Sequence, residues 1–217
     1  MKILFYGKKD DWRCDRALAF LKDKSTVHAY IGKRGEKLPD SCGWIDYDIL
    51  ISYLSPWVIP DYVLSKVKDA LNFHPGSPEY PGIGCTNQAI YNNAEQYGVV
   101  CHRMTEKVDD GDILYSRSFM VYGSDSVWSL TQRAYDYMLE MFYSVMDVIL
   151  SGKALPPRGY PWKRKPYTRK ELNDLCHITP EMDYTEMSRR IKSTTYPGYP
   201  GAYVEINGVR FNKGEGG

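Results

Sequence analysis

The sequence lacks the features that mark membrane, secreted and nucleic-acid-binding proteins. No apolar run approaches the roughly 18 to 20 residues that a membrane-spanning helix requires. The five cysteines form no Cys-x-x-Cys pair, there is no Asn-x-Ser/Thr sequon, and the amino terminus does not resemble an export signal. The 28 basic residues nearly cancel the 27 acidic ones, so no overall field attracts RNA or DNA. We therefore expect a cytoplasmic protein with free thiols and with neither a membrane nor a nucleic-acid partner.

Alternating strand and helix patterns in the first 150 residues indicate an α/β fold. Apolar runs predict strands at residues 1–7, 25–31, 48–54, 70–74, 98–104 and 113–119. Helical spacing predicts helices at residues 13–24, 61–67, 86–96 and 127–149. Strands that alternate with helices favour a mostly parallel sheet with flanking helices.

The composition changes after Gly152, where prolines interleave with basic and aromatic residues. We therefore predict one domain over residues 1–152 and a short C-terminal segment over residues 153–217. This segment has a capping-box sequence at Thr168, a helix near residues 182–191 and a hairpin around Asn207-Gly208. Its basic, aromatic stretch from Arg158 to Lys170 either holds phosphates and stacks a base or is a solvated connector.

The most informative pattern is Asn72-x-His74-Pro75, at the carboxyl end of a predicted strand. Two side chains two positions apart on a strand point to the same face. Ligands of open α/β sheets bind beyond the carboxyl ends of the strands. Asn72 and His74 are therefore candidates to reach one ligand atom. The alternative is that His74 merely satisfies a loop carbonyl while Asn72 caps a turn.

Other candidate motifs are weaker. The turn VDDGD at residues 108–112 is rich in carboxylates, but it lacks the spaced oxygens and late glutamate of a calcium loop, so no metal is expected. The run GIGCTN from Gly82 lacks the third glycine of a dinucleotide fingerprint. Cys85 and Cys101 stand beside no evident base and are predicted to be core residues. The irregular, aromatic segment 53–60 follows a strand end, as a pocket for a heterocycle would.

Several runs together resemble the folate-dependent formyltransferases. They are LNFHPGSPEYPG at residues 71–82, Ala89-Ile90, GVVCH at residues 98–102 and VDDGDIL at residues 108–114. The resemblance spans roughly residues 2–150. It implies a Rossmann-like sheet whose strand order reverses beside the strand that carries Asn72 and His74. It also matches the catalytic asparagine, histidine and Asp-x-Gly aspartate of the family to Asn72, His74 and Asp109.

The resemblance further implies a donor and roles for particular residues. The donor would be 10-formyltetrahydrofolate, and an amine would attack its formyl carbon. Asn72 and His74 would then stabilise the oxyanion, while Asp109 orients the imidazole, favours its charged form and relays a proton. The folate would lie against the backbone of residues 53–59 and the turn at Asp109. The expected folate-binding residues are Tyr53, Leu54, Ser55, Pro56, Trp57, Ile59, Val108 and Gly111.

The C-terminal segment is similar to that of sugar N-formyltransferases, which implies a nucleotide-linked amino deoxysugar as the small-molecule acceptor. The loop after His74 and the tail would shape its pocket, with expected substrate-binding residues Pro75, Gly76, Ser77, Tyr80, Gly82, Trp162 and Tyr199. A purine precursor as acceptor, a hydrolase and a non-catalytic nucleotide-sugar-binding relative stay open as alternatives. Aromatic residues in the tail and on the helix at 127–149 suggest a homodimer.

Overall fold

The computed structural model describes residues 1–39, 46–157 and 159–212. Within these ranges, six strands form one sheet in the order β2-β1-β3-β4-β5-β6. The strands are β1 (Lys2–Lys8), β2 (Thr26–Gly32), β3 (Tyr47–Tyr53), β4 (Val67–His74), β5 (Gln96–Arg103) and β6 (Ile113–Met120). The first four are parallel, and β5 runs antiparallel to both β4 and β6. The predicted α/β class with a mostly parallel sheet is confirmed.

Helices cover both faces of this sheet. They are α1 (Trp12–Lys24), α2 (Asp61–Leu64), α3 (Cys85–Tyr91) and α4 (Val127–Leu150), followed in the C-terminal segment by α5 (Arg169–Cys176) and α6 (Tyr184–Thr194). Because both faces are covered, the central strands read as continuous apolar runs, and residues 3–6 of β1 are at most 1% exposed. The predicted long helix is confirmed as α4, which buries Leu130, Ala134 and Met138 at helical spacing.

The strand order reverses between β1 and β3, one strand away from the position that the resemblance implied. Beside β4 it is the strand direction that changes, because β5 runs antiparallel to it. Residues 75–95 leave the carboxyl end of β4, form the short helix α3 and enter β5 at the same edge of the sheet. Without a crossover to the opposite edge, the next strand cannot be parallel.

Two helix ends differ from the expected ones. The helix after Pro60 ends at Leu64, and β4 begins at Val67, inside the range predicted as helix. Helix α3 ends at Tyr91 because Asn93 adopts a left-handed backbone with φ of 49°, and β5 already begins at Gln96. Asparagine adopts that conformation more readily than most residues, so the turn falls there.

The C-terminal segment packs beside the loop that follows β4. Thr168 caps α5 with a complete capping box, as predicted. The strands β7 (His177–Ile178), β8 (Tyr203–Ile206) and β9 (Val209–Asn212) form a second small sheet. The predicted hairpin is present, with Asn207 and Gly208 both left-handed. Tyr167 bridges to Gly82, which joins this segment to the loop after β4. None of the helices in the described ranges is long and apolar enough to cross a membrane.

Candidate active site

Two strands and one loop bring four polar side chains together near the carboxyl end of β4. Asn72 and His74 lie on β4, and His102 lies on β5 directly opposite Asn72. Asp109 comes from the loop between β5 and β6. His74, His102 and Asp109 are all buried, with at most 7% exposure. The predicted group of Asn72, His74 and Asp109 is thus assembled in space, and His102 joins it.

The Asp109 carboxylate lies between the two histidines. One carboxylate oxygen, Oδ2, lies 3.3 Å from His74 Nδ1, and the other, Oδ1, lies 3.3 Å from His102 Nε2. The backbone N–H of Gly82 donates to Oδ2 at 2.7 Å. Buried carboxylates need such partners, because an unpaired charge is costly away from water. The arrangement holds Asp109 ionised and aimed at His74.

Backbone geometry explains how Asp109 reaches this position. Its φ of 46° is left-handed, which aspartate tolerates and which turns the side chain back over the sheet. Two residues later, a Cβ at Gly111 would stand 2.0 Å from the Arg103 carbonyl oxygen. Only glycine fits there, so the loop can close tightly on β5. Gly82, with φ of +87°, places its N–H on the carboxylate.

His74 and Asp109 shift each other's pKa through their opposite charges. Burial alone would lower the pKa of His74, but the neighbouring Asp109 raises that pKa to about 9. For Asp109, burial opposes ionisation, yet the charged His74 and the Gly82 N–H hold the carboxyl pKa well below its usual range. Near neutral pH the pair is therefore an imidazolium beside a carboxylate.

Both ring nitrogens of His74 face acceptors. Nδ1 faces Asp109, and Nε2 lies 3.3 Å from the Tyr80 carbonyl oxygen, so each nitrogen carries a proton. Gly76 leaves room for this ring, because a Cβ there would stand 2.4 Å from Nε2. The two contacts are longer than the usual 2.9 to 3.0 Å of an N–H···O bond. Either N–H can be re-aimed at a stronger acceptor at small cost.

His102 orients the amide of Asn72. Its Nδ1 lies 2.8 Å from the Arg103 carbonyl oxygen, which can only accept, so Nδ1 carries a proton. In that tautomer Nε2 accepts from Asn72 Nδ2 at 3.1 Å. The second N–H of the amide stays available for a ligand. Sequence reasoning missed His102. The only local signal was strand alternation, which places it on the face opposite the core residue Cys101.

Trp162 packs behind this cluster. Its ring meets the His74 and His102 rings edge-on, with centroids 5.5 and 5.1 Å apart. Its indole N–H donates to the Gly111 carbonyl oxygen at 3.1 Å. Trp162 therefore packs against both histidines and holds the Asp109 loop in place.

A cavity of about 640 Å³, here called the larger cavity, opens in front of the cluster. Asn72, His74, His102 and Asp109 form one wall of it. Segment 54–59 forms another wall, and Leu54 in this segment has a left-handed φ of 52°. A left-handed backbone is rare for a leucine and is the kind of strain that functional sites retain. Volume and lining suit a flat, partly apolar ligand.

The expected folate-binding residues fall into two groups. Leu54, Ser55, Pro56, Trp57, Ile59 and Val108 line the larger cavity. Two do not: the side chain of Tyr53 is fully buried among Phe73 and Phe142, and Gly111 sits behind the wall. Tyr53 faces the core because strand alternation turns the neighbouring Ser52 to the cavity instead.

The expected substrate-binding residues also divide. Pro75, Gly82 and Tyr199 line cavities, whereas Gly76, Ser77, Tyr80 and Trp162 lie behind the walls. Of these four, Gly76, Tyr80 and Trp162 support His74, as described above, and Ser77 is buried. Their roles toward a substrate stay predictions.

A second cavity of about 420 Å³, here called the smaller cavity, lies between α3 and the C-terminal segment. Cys85 lines it and is partly buried, packed against the main core, and Cys101 is fully buried as predicted. Burial would raise the pKa of the Cys85 thiol, but His74 lowers it below the ordinary value. The α3 helix begins at Cys85, whose thiol donates to the Pro75 carbonyl oxygen at 3.6 Å.

The basic stretch from Arg158 to Lys170 reaches the cavities at one position. Three of its cations pair with carboxylates: Lys163 with Glu79, Arg164 with Glu171 and Lys170 with Asp174. Arg169 lines both cavities instead. Arg158 lies outside the described residues.

The fold and the site match a known family over part of the chain. Residues 44–146 match the family model described as formyl transferase, and the chain contains a domain of that family. The resemblance found in the sequence is therefore confirmed.

Three relatives show the range of likeness. GDP-perosamine N-formyltransferase of Brucella melitensis is 28% identical over 165 residues, which cover 75% of this chain and 62% of the relative. The chain thus spans less than two thirds of that relative's length. A sugar N-formyltransferase from a Shewanella species has a TM-score of 0.80 at 16% identity, with 98% of this chain and 96% of the other covered. HypX from Aquifex aeolicus, in complex with tetrahydrofolic acid, has a TM-score of 0.73 at 20% identity, with 97% and 36% covered.

Proposed function

We propose that the protein transfers a formyl group from 10-formyltetrahydrofolate to the amine of a nucleotide-linked amino deoxysugar. The observation that carries this proposal is the wall of the larger cavity, where the Asn72 amide and a charged His74 stand side by side with Asp109 behind them. Acyl transfer needs such donors, already aimed at the oxygen that gains negative charge.

The folate supplies the formyl group, whose carbon leaves N10 and bonds to the amine nitrogen, while a proton from the amine ends on N10. Asn72 and His74 donate hydrogen bonds to the formyl oxygen, and one such donor is typically worth about a hundredfold to a thousandfold in rate. Asp109 keeps His74 charged and accepts the proton that the amine releases, a task worth roughly a hundredfold to ten-thousandfold.

The residues present fit a folate. Segment 54–59 combines the Trp57 ring with apolar side chains, and it borders a cavity whose volume falls within the usual range for ligands of that size. On the opposite wall, the hydrogen-bond donors Asn72 and His74 would face the formyl end of the folate. The HypX relative is named as a complex with tetrahydrofolic acid, which supports the same choice.

An amino sugar is favoured as acceptor by the name of the Brucella relative, whose match extends over three quarters of this chain. The homodimer and the cytoplasmic location stay predictions. A small purine precursor is the other acceptor class to include in any panel.

Release of free tetrahydrofolate tests this function. Purified protein is incubated with 10-formyltetrahydrofolate and a panel of UDP-, GDP- and dTDP-linked amino sugars, with His74→Ala as the control. We expect wild-type release at least about a thousandfold above the variant with one member of the panel. Release that needs no amine would instead indicate a hydrolase. Wild-type release no greater than that of His74→Ala for every acceptor would refute the proposal.

A further inference from the structure

The two cavities meet at a shared wall that carries positive charge. Six residues line both of them: Lys8, Arg34, Ile83, Tyr135, Arg169 and Tyr199. Three of the six are cations. Among the described residues, the smaller cavity has no carboxylate in its lining, and the larger cavity has only Asp109. Asp109 is already held by His74 and Gly82.

The two arginines of this wall have no carboxylate partner among the residues that the structure describes. Within the described ranges, neither Arg34 nor Arg169 has a salt bridge, whereas Lys8 pairs with Asp11 at 3.3 Å. Arg34 and Arg169 lie close enough to repel each other, and the pKa of Arg169 is lowered by partial burial and by Arg34. An anion between the two guanidinium groups would relieve that repulsion and accept their hydrogen bonds.

The smaller cavity beyond this wall is aromatic. Four tyrosines line it: Tyr135, Tyr196, Tyr199 and Tyr203. Tyr199 is 59% exposed, whereas the Tyr203 ring is stacked on His177 and covered by the Arg210 guanidinium, 3.4 Å from its centre. The exposed ring of Tyr199 is suited to stacking on a nucleobase, whichever base it is.

We propose that Arg34 and Arg169 bind the diphosphate of a nucleoside diphosphate, whose nucleoside occupies the smaller cavity. The attached sugar then enters the larger cavity, toward Asn72 and His74. A nucleotide sugar has the same order of parts: a flat base for the smaller cavity, an anionic diphosphate for the shared wall and a reactive sugar for the larger cavity. The position of the sugar rests on the proposed function, but the diphosphate site does not.

A folate presents anions as well, in the carboxylates of its glutamyl tail. That tail would make the larger cavity and the shared wall a single folate site and would leave the smaller cavity without a ligand. If the arginines bind a diphosphate, nucleotide affinity depends on them; if they bind the glutamyl tail, folate affinity does. Both affinities are therefore measured.

Calorimetric titration of the full chain tests the proposal, without any catalysis. UDP, GDP and dTDP are titrated against wild type, alongside the corresponding nucleosides and 5-formyltetrahydrofolate. The same titrations are run on Arg34→Met and Arg169→Met. Arg16→Met is the matched control, because Arg16 is an exposed arginine of α1 that lines neither cavity.

We expect at least one nucleoside diphosphate to bind, about tenfold or more tightly than its nucleoside. Each cavity variant should weaken that binding by about tenfold, since a guanidinium that pairs with phosphate makes charge-assisted hydrogen bonds. Arg16→Met should stay within about twofold of wild type, and so should the affinity of both cavity variants for the folate.

Three results would overturn the site: no binding of any nucleoside diphosphate to wild type, cavity variants that bind like wild type, or variants that lose folate affinity instead. The proposed function is tested by a different measurement, the release of tetrahydrofolate. Arginine-dependent nucleotide binding without tetrahydrofolate release leaves this site standing and removes the transferase. Formyl transfer to an amine without nucleotide binding would keep the transferase and remove this site.

Discussion

The protein carries polar residues in two contrasting surroundings only a cavity apart. Around Asp109, the side chains are buried and satisfy one another, with contacts of 2.7 to 3.3 Å. At the shared wall, Arg34 and Arg169 are exposed and have no salt bridge within the described ranges. The first group is complete before any ligand arrives. The second group has no carboxylate partner in the described part of the chain.

This contrast separates chemistry from recognition. A buried, mutually bonded cluster has its protonation state set by its own members, so it governs rate and pH dependence. Exposed, unpaired cations contribute little until an anion removes them from water, so they govern affinity and its salt dependence. Changes in one region should therefore leave the measured property of the other intact.

Of the changes that test the separation of the two regions, Asp109→Asn is expected to have the largest effect. Without the carboxylate, the pKa of His74 falls from about 9, so the imidazole loses its charge at a lower pH. We expect the rate to fall by a hundredfold or more, as is typical when such a group is lost. The alkaline limit of activity should move down by about one pH unit or more. A pH profile of kcat/KM measures both.

Nucleoside diphosphate affinity should stay within about twofold in Asp109→Asn, which would sharpen the separation between the two regions. A variant with reduced rate but an unmoved alkaline limit would show that Asp109 does not set the charge of His74.

A smaller effect is expected at His102, which acts through Asn72 and Asp109. His102→Leu removes the acceptor that orients the Asn72 amide, and misplacement of such a group costs up to about a hundredfold in kcat. KM for the acceptor should be unchanged, because no shared-wall residue is touched. His102→Gln keeps an acceptor and should recover part of the rate. If kcat falls equally in the two variants, His102 contributes only packing and does not orient Asn72.

The smallest effect on the rate is expected at Gly82, where stability changes instead. Gly82→Ala forces a side chain onto a backbone with φ of +87° and places a Cβ 2.4 Å from the Tyr167 carbonyl oxygen. Strain of this kind costs about 1 to 3 kcal/mol. Gly123→Ala is the matched control, since a Cβ there meets nothing within 4 Å. Urea unfolding compares them, and equal stability would contradict the strain.

Sequence reasoning succeeded where the signal was local. Asn72 and His74 share a face because a strand alternates, and their place at its end follows from Pro75 and the broken loop after it. The assignment of Asp109 over Asp110 needed the family pattern, since both precede a glycine. Nothing local shows that the helix that begins at Cys85 also borders a cavity.

The sequence by itself determined the α/β class, the long helix α4, the C-terminal hairpin and the Asn72–His74 pair, since each depends on residues close together in the chain. Only the tertiary structure decided that His102 meets Asn72 and that Arg34 and Arg169 share one wall. Those contacts join distant segments, and their register is set by how β5 returns beside β4 and how the C-terminal segment packs. The Asn72–His74 pair is thus local, whereas the charge of His74 and the meeting of Arg34 with Arg169 are products of the fold.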